Sequence, residues 1–554
     1  MNRVSLKNKT LPLAAVLIIV ASTFGGRWYE LATKGTLTGA GAYDRVTDQF
    51  EEALTKIQEN YAGALDFEIL GKASIQGMLH RLDPHCAFFT KQEFDDMQVE
   101  QSSLVYGIGV QIQRRNNRVY ILSVTPGAPG HRAGLRYGDA IIAIDGQNVT
   151  DWSTEQVTYK VRGRKGAPIE LTVERAGVPN PITVTVVRDE VKLPSVRNAF
   201  IVDSAHTGYI ALTGGFSMKT DEEFTEALAR LKQQGMKQLI LDLRDNPGGL
   251  LDEAVKVTTK FLAPGQKIVE VRGRDVQAST NTYRVPDNNQ PETMPVVVIV
   301  NRRSASASEI VAGALQDHDR ALIVGETTFG KGLVQGIFKL PFGTGLVLTT
   351  AKYYTPTGRS IQRDYSNVSF YDYLRNRNED HEGVKGAPQG EALQTDTGRP
   401  VYGGGGITPD VEVKAQNTSR LHGRIFSGVF DFVRQLVAGQ INGFHNYQIA
   451  ETQHKAKITD EEINRYPITE QLLEAFRAYI ADKPDFKIPD EQFQSHLDYI
   501  RSQMRREIIT AAYGVEAGDQ VYLADDAQFR KAVESIPQAR MLAEKALRAR
   551  AEKQ

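Results

Sequence analysis

Within Val296–Gln335 (VVVIVNRRSASASEIVAGALQDHDRALIVGETTFGKGLVQ), Ser306 and Lys331 stand 25 residues apart. A serine hydroxyl is a weak nucleophile until a neighbouring base takes its proton, and a neutral lysine amine can be that base. The free amine has a pKa of about 10.4, and burial can lower it by several units. Phe329, Leu333 and Val334 supply apolar neighbours for such burial. His318 lies 12 residues beyond Ser306 along one predicted helix. At a rise of ~1.5 Å per residue that is roughly 18 Å, which excludes a local Ser-His pair. His206 and His131 belong to other segments, and spacing leaves them open as bases. Ser306-Ala307-Ser308-Glu309 also fits a capping box, with Ser306 at the helix start and Glu309 reaching back. On pattern alone, capping is the commoner use of such a serine.

The elements that must position this pair follow from the pattern. Val296–Val300 is a β-branched run suited to a buried strand. Ser304–Asp317 has helical spacing, with Ile310, Val311, Ala314 and Leu315 on one face. Ala321–Val324 is a second short apolar run, and Gly330-Lys331-Gly332 a tight loop. A strand-to-helix turn exposes a side chain and aims unbonded N–H groups at whatever docks there, the geometry of nucleophile elbows. The return strand predicts that Lys331 comes back beside Ser306.

SASASEIVAGALQDHDRALIVGETTFGKGLVQ resembles the active-site segment of the C-terminal processing peptidases, or tail-specific proteases, which are serine proteases with a Ser-Lys dyad. The resemblance runs from about Leu82 to Val413. It implies Ser306 as nucleophile, Lys331 as base and Gln335 as the residue that orients the lysine. It implies an α/β multidomain chain: a crotonase-like α/β protease core, an inserted or preceding PDZ domain, and helical N- and C-terminal regions. No metal or organic cofactor is implied. Arg244-Asp245-Asn246-Pro247-Gly248-Gly249 reads as a plain βα turn, with a glycine pair that could offer backbone donors to an anion. By resemblance it supplies half an oxyanion hole, through Gly249 or Gly248, with Ala307 supplying the rest. Tyr106-Gly107-Ile108-Gly109 resembles the carboxylate-binding loop of a PDZ domain, where glycines turn amides toward an anion and a strand edge pairs with an extended peptide. Arg162, in a basic hairpin, is by resemblance the residue that senses the active site, acting through Gln335. Asp317 takes a structural role near the site.

The whole chain bounds the rest. It has 554 residues and a formal net charge of −1, so bulk charge does not point to nucleic acid. Its one cysteine, Cys86, excludes an internal disulfide and reads as a small buried residue. Arg3, Lys7 and Lys9 precede the apolar run Leu11–Ser22, which reads as an export signal or as an uncleaved membrane anchor. The expected location is therefore outside the cytoplasm, periplasmic, anchored to the inner membrane if the signal stays. The expected domains are 1–26 (signal or anchor), 40–97 (helical, for homodimerisation by resemblance), 98–190 (PDZ), 191–415 (protease core, with a mobile insertion at 363–400) and 416–554 (helical extension for packing or partner binding). The expected partners are protein substrates bound by their C-termini, a second copy, and an adaptor or regulator. Two rival readings are a silent PDZ scaffold on a dead protease core, and the acyl-CoA chemistry that crotonase-like folds serve elsewhere.

Overall fold

The computed structural model describes residues 39–274, 280–366, 373, 392–415, 419–455 and 457–552. The predicted signal at 1–26 lies outside them, as do residues 367–372 and 374–391 of the predicted insertion. Among the described residues no helix is long and apolar enough to cross a membrane. The chain divides into two units, one ending at Ile75 and one beginning at Gln76. The first holds α1 (Gly39–Asn60) and the start of α2 (Phe67–His80). Val46, Phe50 and Ile57 form an apolar stripe along α1 and are exposed.

The second unit opens with β1 (Ala87–Phe89), α3 (Lys91–Gln101) and β2 (Leu104–Gly107). A PDZ body follows: β3 (Val110–Arg115), β4 (Arg118–Val124), β5 (Ala140–Ile144), β6 (Gln147–Asn148), α4 (Thr154–Val161), β7 (Pro168–Glu174) and β8 (Ile182–Val187). Its antiparallel sheet runs β3-β4-β5-β7-β8, with β6 on β5. Ile121, Ile141, Leu171 and Val173 meet Val157 and Val161 of α4 in its core. β9 (Asp189–Lys192) pairs with β2, from Leu104↔Lys192 to Gly107↔Asp189, so the chain enters and leaves this body through one ribbon.

The protease core contains β10 (Val196–Ile201), β11 (Thr207–Leu212), α5 (Thr220–Gln233), β12 (Gln238–Asp242), α6 (Leu251–Thr259), β13 (Lys267–Gly273), β14 (Asn281–Arg284), β15 (Val296–Val300), α7 (Ala307–Asp317), β16 (Leu322–Gly325), β17 (Leu333–Lys339), β18 (Gly345–Tyr354), a small hairpin of β19 (Leu393–Gln394) and β20 (Pro400–Val401), and β21 (Val411–Glu412). The central sheet runs β10-β11-β12-β15-β16-β21, parallel from β11 onward. Every residue of β12, β15 and β16 is buried, as parallel strands covered on both faces require. On one face Leu241, Val298 and Ile323 pack with residues of α5, α6 and α7. A second sheet, β1-β18-β13-β14 with β17 on β18, carries Gln335 on β17, just after the lysine loop.

α8 (Arg420–Val437), α9 (Glu470–Ala481), α10 (Leu497–Tyr513), α11 (Val515–Leu523), α12 (Ala527–Glu534) and α13 (Ile536–Ala551) make up most of the C-terminal region. They are more than an appendage. Leu523, Phe529, Ala532, Ile536 and Ala539 cover the other face of the central sheet, against Tyr209, Ile240, Val297, Ile299 and Val324. The same region holds the PDZ body. Arg115 pairs with Glu507 at 2.8 Å with both side chains buried, and the Tyr137 hydroxyl donates to Glu507 at 2.9 Å. Phe426 and Phe430 lie 4.2 and 4.3 Å from the Arg115 guanidinium.

Two expected boundaries change. Residues 87–97 pack with the protease core rather than with a helical subdomain: β1 pairs with β18 (Ala87↔Val347), and Phe94 of the helix α3 packs onto Gly345, where a Cβ would lie 1.9 Å from its ring. Within the predicted mobile insertion, Tyr373 is buried and 393–401 form the β19–β20 hairpin, pinned by Arg399 Nε to Asp319 at 2.6 Å.

Candidate active site

Ser306 follows β15 and opens α7, with φ 54° and ψ −115°. Other caps of this chain, Ser153, Ser419 and Thr459, have φ between −72° and −101° and ψ of 162° to 167°. An ordinary cap takes that extended conformation, whereas a positive φ on serine is the strained turn of a nucleophile elbow. The strain is held from the neighbouring β12 turn. Ser304 Oγ donates to the Leu243 carbonyl (2.8 Å), and the Ala305 amide (3.0 Å) and Ser308 Oγ (3.1 Å) donate to the Asn246 carbonyl.

The carboxylate expected to close a capping box does more than that. Glu309 is buried, and it accepts from the amides of Ser306 (2.8 Å), Gly330 (2.8 Å) and Lys331 (2.9 Å) and from Thr328 Oγ1 (2.5 Å). Burial pushes its carboxyl above the usual range, against the downward pull of these donors. One side chain thus ties the serine turn to the lysine loop. The Tyr353 hydroxyl makes a second tie, lying against the carbonyls of Ser306 (3.0 Å) and Lys331.

Lys331 Nζ donates to Gln335 Oε1 at 2.6 Å. A bulge in the β17–β18 pairing falls between Val334 and Gln335, a device that re-aims side chains beside active sites. Gln335 Nε2 in turn donates to the carbonyl of His85. The His85 ring meets Phe329 and Tyr373 edge-on, with Nε2 3.0 Å from the Tyr373 hydroxyl. Burial first, then the charge of Lys331, push His85 down to about 4.

The glycine turn divides its roles. The Gly248 amide donates to Asn246 Oδ1 at 2.9 Å, which corrects its assignment as an oxyanion donor. Gly248 instead permits close approach: at its φ of 97°, a Cβ would lie 2.6 Å from Ser306 Cβ and 2.9 Å from the Ala307 amide nitrogen. The Gly249 and Ala307 amides make no hydrogen bond among the described residues. Asp317 accepts from Arg359 at 2.6 Å and from the amide and hydroxyl of Thr357, bracing the far end of α7.

The other histidines are elsewhere. His318 bonds Asp396 and the Lys267 carbonyl, both at 2.8 Å. His206 precedes β11 and lies at the N-terminal ends of the parallel strands, level with the start of β15 and two strands across, whereas Ser306 follows the C-terminal end of β15. His131 lies on the PDZ body, 3.7 Å from Glu451. Sequence reasoning missed His85, Tyr353 and Tyr373. Asp83-Pro84-His85 carried a usable turn signal, but nothing local tied it to the lysine.

Residues 206–367 match the model of peptidase family S41, and residues 96–174 that of the PDZ domain. A carboxy-terminal-processing protease of Bartonella bacilliformis is 37% identical over 318 residues, covering 57% of this chain and 72% of the relative. The carboxy-terminal processing protease CtpA of Bacillus subtilis is 31% identical over 334 residues, covering 60% and 69%. Among solved structures, the photosystem II D1 C-terminal processing protease is 28% identical over 68% of this chain and 90% of its own, with a TM-score of 0.35. The chain belongs to the carboxy-terminal-processing protease family. It is a serine-type peptidase with a PDZ domain.

The peptidase's PDZ loop has the geometry of an anion cradle. Gly109 has φ 72°, and a Cβ there would lie 2.3 Å from Ala128 Cβ. The carbonyls of Tyr106, Ile108 and Gly109 accept from Gly163, Gly130 and Thr125, while the amides of Ile108 and Gly109 have no partner among the described residues. Gly107 is taken up in the ribbon with Asp189. β3, which follows, is an edge strand. Arg162 does not reach Gln335: it donates to Glu100 of α3 at 2.7 Å, because the end of α4 faces α3. That corrects the direct contact expected of it.

Proposed function

We propose that the chain is an exported endopeptidase that binds substrate C-termini on its PDZ loop and cleaves through a Ser306–Lys331 dyad. The observation that carries this reading is the shared bracing of a strained serine and a lysine by Glu309 and Tyr353. Neutral Lys331 takes the proton from Ser306 Oγ as the oxygen attacks the scissile carbonyl. The oxyanion forms against the amides of Gly249 and Ala307. The tetrahedral intermediate collapses, the peptide C–N bond breaks, and the lysine proton passes to the leaving amine. Water, deprotonated by the same lysine, then hydrolyses the acyl-serine. Ile108 and Gly109 hold the substrate carboxylate, and β3 pairs with its last residues.

The test is cleavage of an unstructured protein with an apolar C-terminus by residues 27–554, with and without Lys331→Ala. Cleavage by the first alone is expected, and equal cleavage by both overturns the dyad. The basic, then apolar, first 22 residues support export. Residues 1–26 fused to alkaline phosphatase are expected to give an active enzyme in the periplasm. The exposed stripe of α1 supports a homodimer, which light scattering before and after removal of residues 1–66 tests.

A further inference from the structure

We propose that His85 is a positioning residue for the lysine: its carbonyl selects which end of the Gln335 amide meets the amine, and its ring, held by Tyr373, keeps water from the lysine. This rests on the dyad reading above and names what keeps that base in working order.

The two ends of a glutamine amide have nearly the same shape and opposite hydrogen-bonding character. A carbonyl can only accept, so the His85 carbonyl fixes Nε2 toward itself and Oε1 toward Lys331. A neutral amine has two N–H bonds and one lone pair. Oε1 engages an N–H and leaves the lone pair for the Ser306 hydroxyl. The reversed amide would donate to that lone pair and occupy it. The turn at His85 therefore decides whether Gln335 supports the base or blocks it.

The turn is built to stay in place. Asp83 Oδ1 accepts from the amides of His85 (2.7 Å) and Cys86 (2.9 Å), and Cys86 Sγ donates to Asp83 Oδ2 (3.1 Å). Immediately beyond, β1 pairs with β18, which also pairs with the strand carrying Gln335. The ring is clamped from the other side. Tyr373 bonds its Nε2, and Arg363 covers Tyr373 at 4.4 Å and bonds the Tyr373 carbonyl at 2.9 Å. The groups around Lys331 are then His85 and Gln335, Phe329 and Tyr373 on the ring, Asp83 and Arg363 behind it, and Tyr353 and Glu309 on the lysine backbone. The carboxylate nearest the lysine backbone, Glu309, is engaged by four donors. Burial, the larger cause of its lowered pKa, keeps the imidazole uncharged at neutral pH, so it adds an apolar, edge-on wall rather than a charge.

The experiment measures the rate at which a fluorophosphonate probe acylates Ser306 in the full chain, as a function of pH, alongside thermal midpoints. His85→Ala and Tyr373→Ala each open the wall. Each is expected to move the acid limb of the rate profile up by about one pH unit, slowing labelling about tenfold at neutral pH with recovery at high pH. His85→Phe keeps the wall and is expected to stay near the native profile. If His85→Ala does not fold, Tyr373→Ala decides. An unmoved acid limb in the alanine variants overturns the proposal however far the thermal midpoint falls, as does a phenylalanine variant that shifts as far as alanine. Undiminished labelling in Lys331→Ala overturns the dyad reading instead, which separates the two failures.

Discussion

Among the described residues, the PDZ loop and the serine turn each present a pair of unbonded backbone amides beside a glycine. At the PDZ loop they are consecutive, Ile108 and Gly109. At the serine they come from Gly249 and Ala307, on two different turns. The PDZ pair needs only a loop with one glycine in the left-handed region and a ribbon to anchor it. The pair at the serine exists only because β12 and β15 are parallel neighbours whose ends stop side by side, from Leu239↔Val296 to Asp242↔Ile299. Asn246 stitches the two turns, accepting from Ala305 and Ser308 and donating to the Leu212 carbonyl at 2.6 Å. A site that binds a ground state tolerates a loose cradle. A site that stabilises a transition state does not, because its donors count only where charge develops.

The largest test of this contrast is Ser306→Ala. It is expected to lower cleavage by on the order of 10^4- to 10^6-fold and to leave C-terminal peptide affinity unchanged by titration. Gly248→Ala drives a Cβ into Ser306. Turnover should fall by on the order of 10^2- to 10^3-fold, again with native peptide affinity; a change in affinity with native turnover would erase the distinction. The catalytic region should also be the more acid-sensitive. The proton affinity of His85 is lower folded (pKa about 4) than in the free side chain (6.5). The unfolded state therefore binds more protons between these values, and stability is lost as pH falls through that window. The loss is on the order of 3 kcal/mol, and His85→Phe should flatten it in denaturant titrations from pH 7 to 4. The smallest effect is expected from Gly109→Ala, where the new Cβ meets Ala128. KM for a C-terminally recognised substrate should rise by roughly tenfold, about 1.4 kcal/mol of binding, while fluorophosphonate labelling of Ser306 keeps its native rate.

Much was legible because it is local. The apolar run Val296–Val300, the helical face after Ser306 and the glycines of both loops are written in contiguous residues, since strand period, helix period and turn chemistry act over a few positions. The return of the Lys331 loop to the Ser306 turn, whose backbones share Glu309 and Tyr353, was foreseeable as strand, helix and return. The family resemblance named Gln335, but not what orients it. Its partner is the carbonyl of His85, 250 positions away, and no side-chain pattern marks a carbonyl. Glu309 was read as a cap because its first contact is three residues away; its bonds to Gly330 and Lys331 needed the loop to return. Arg162 was expected at Gln335 and sits on Glu100.

The sequence by itself determined the strand Val296–Val300, the helix that follows Ser306 and the glycines of both loops. Tertiary structure alone decided that Phe529 and Ile536 of the C-terminal helices cover the central sheet, that Arg115 and Glu507 lock the PDZ body to them, and that Ala87–Phe89 brings His85 to the lysine. Which buried strand lies beside which is set by how all the apolar faces are covered at once, and that sum over the whole chain is not carried by any short stretch of it.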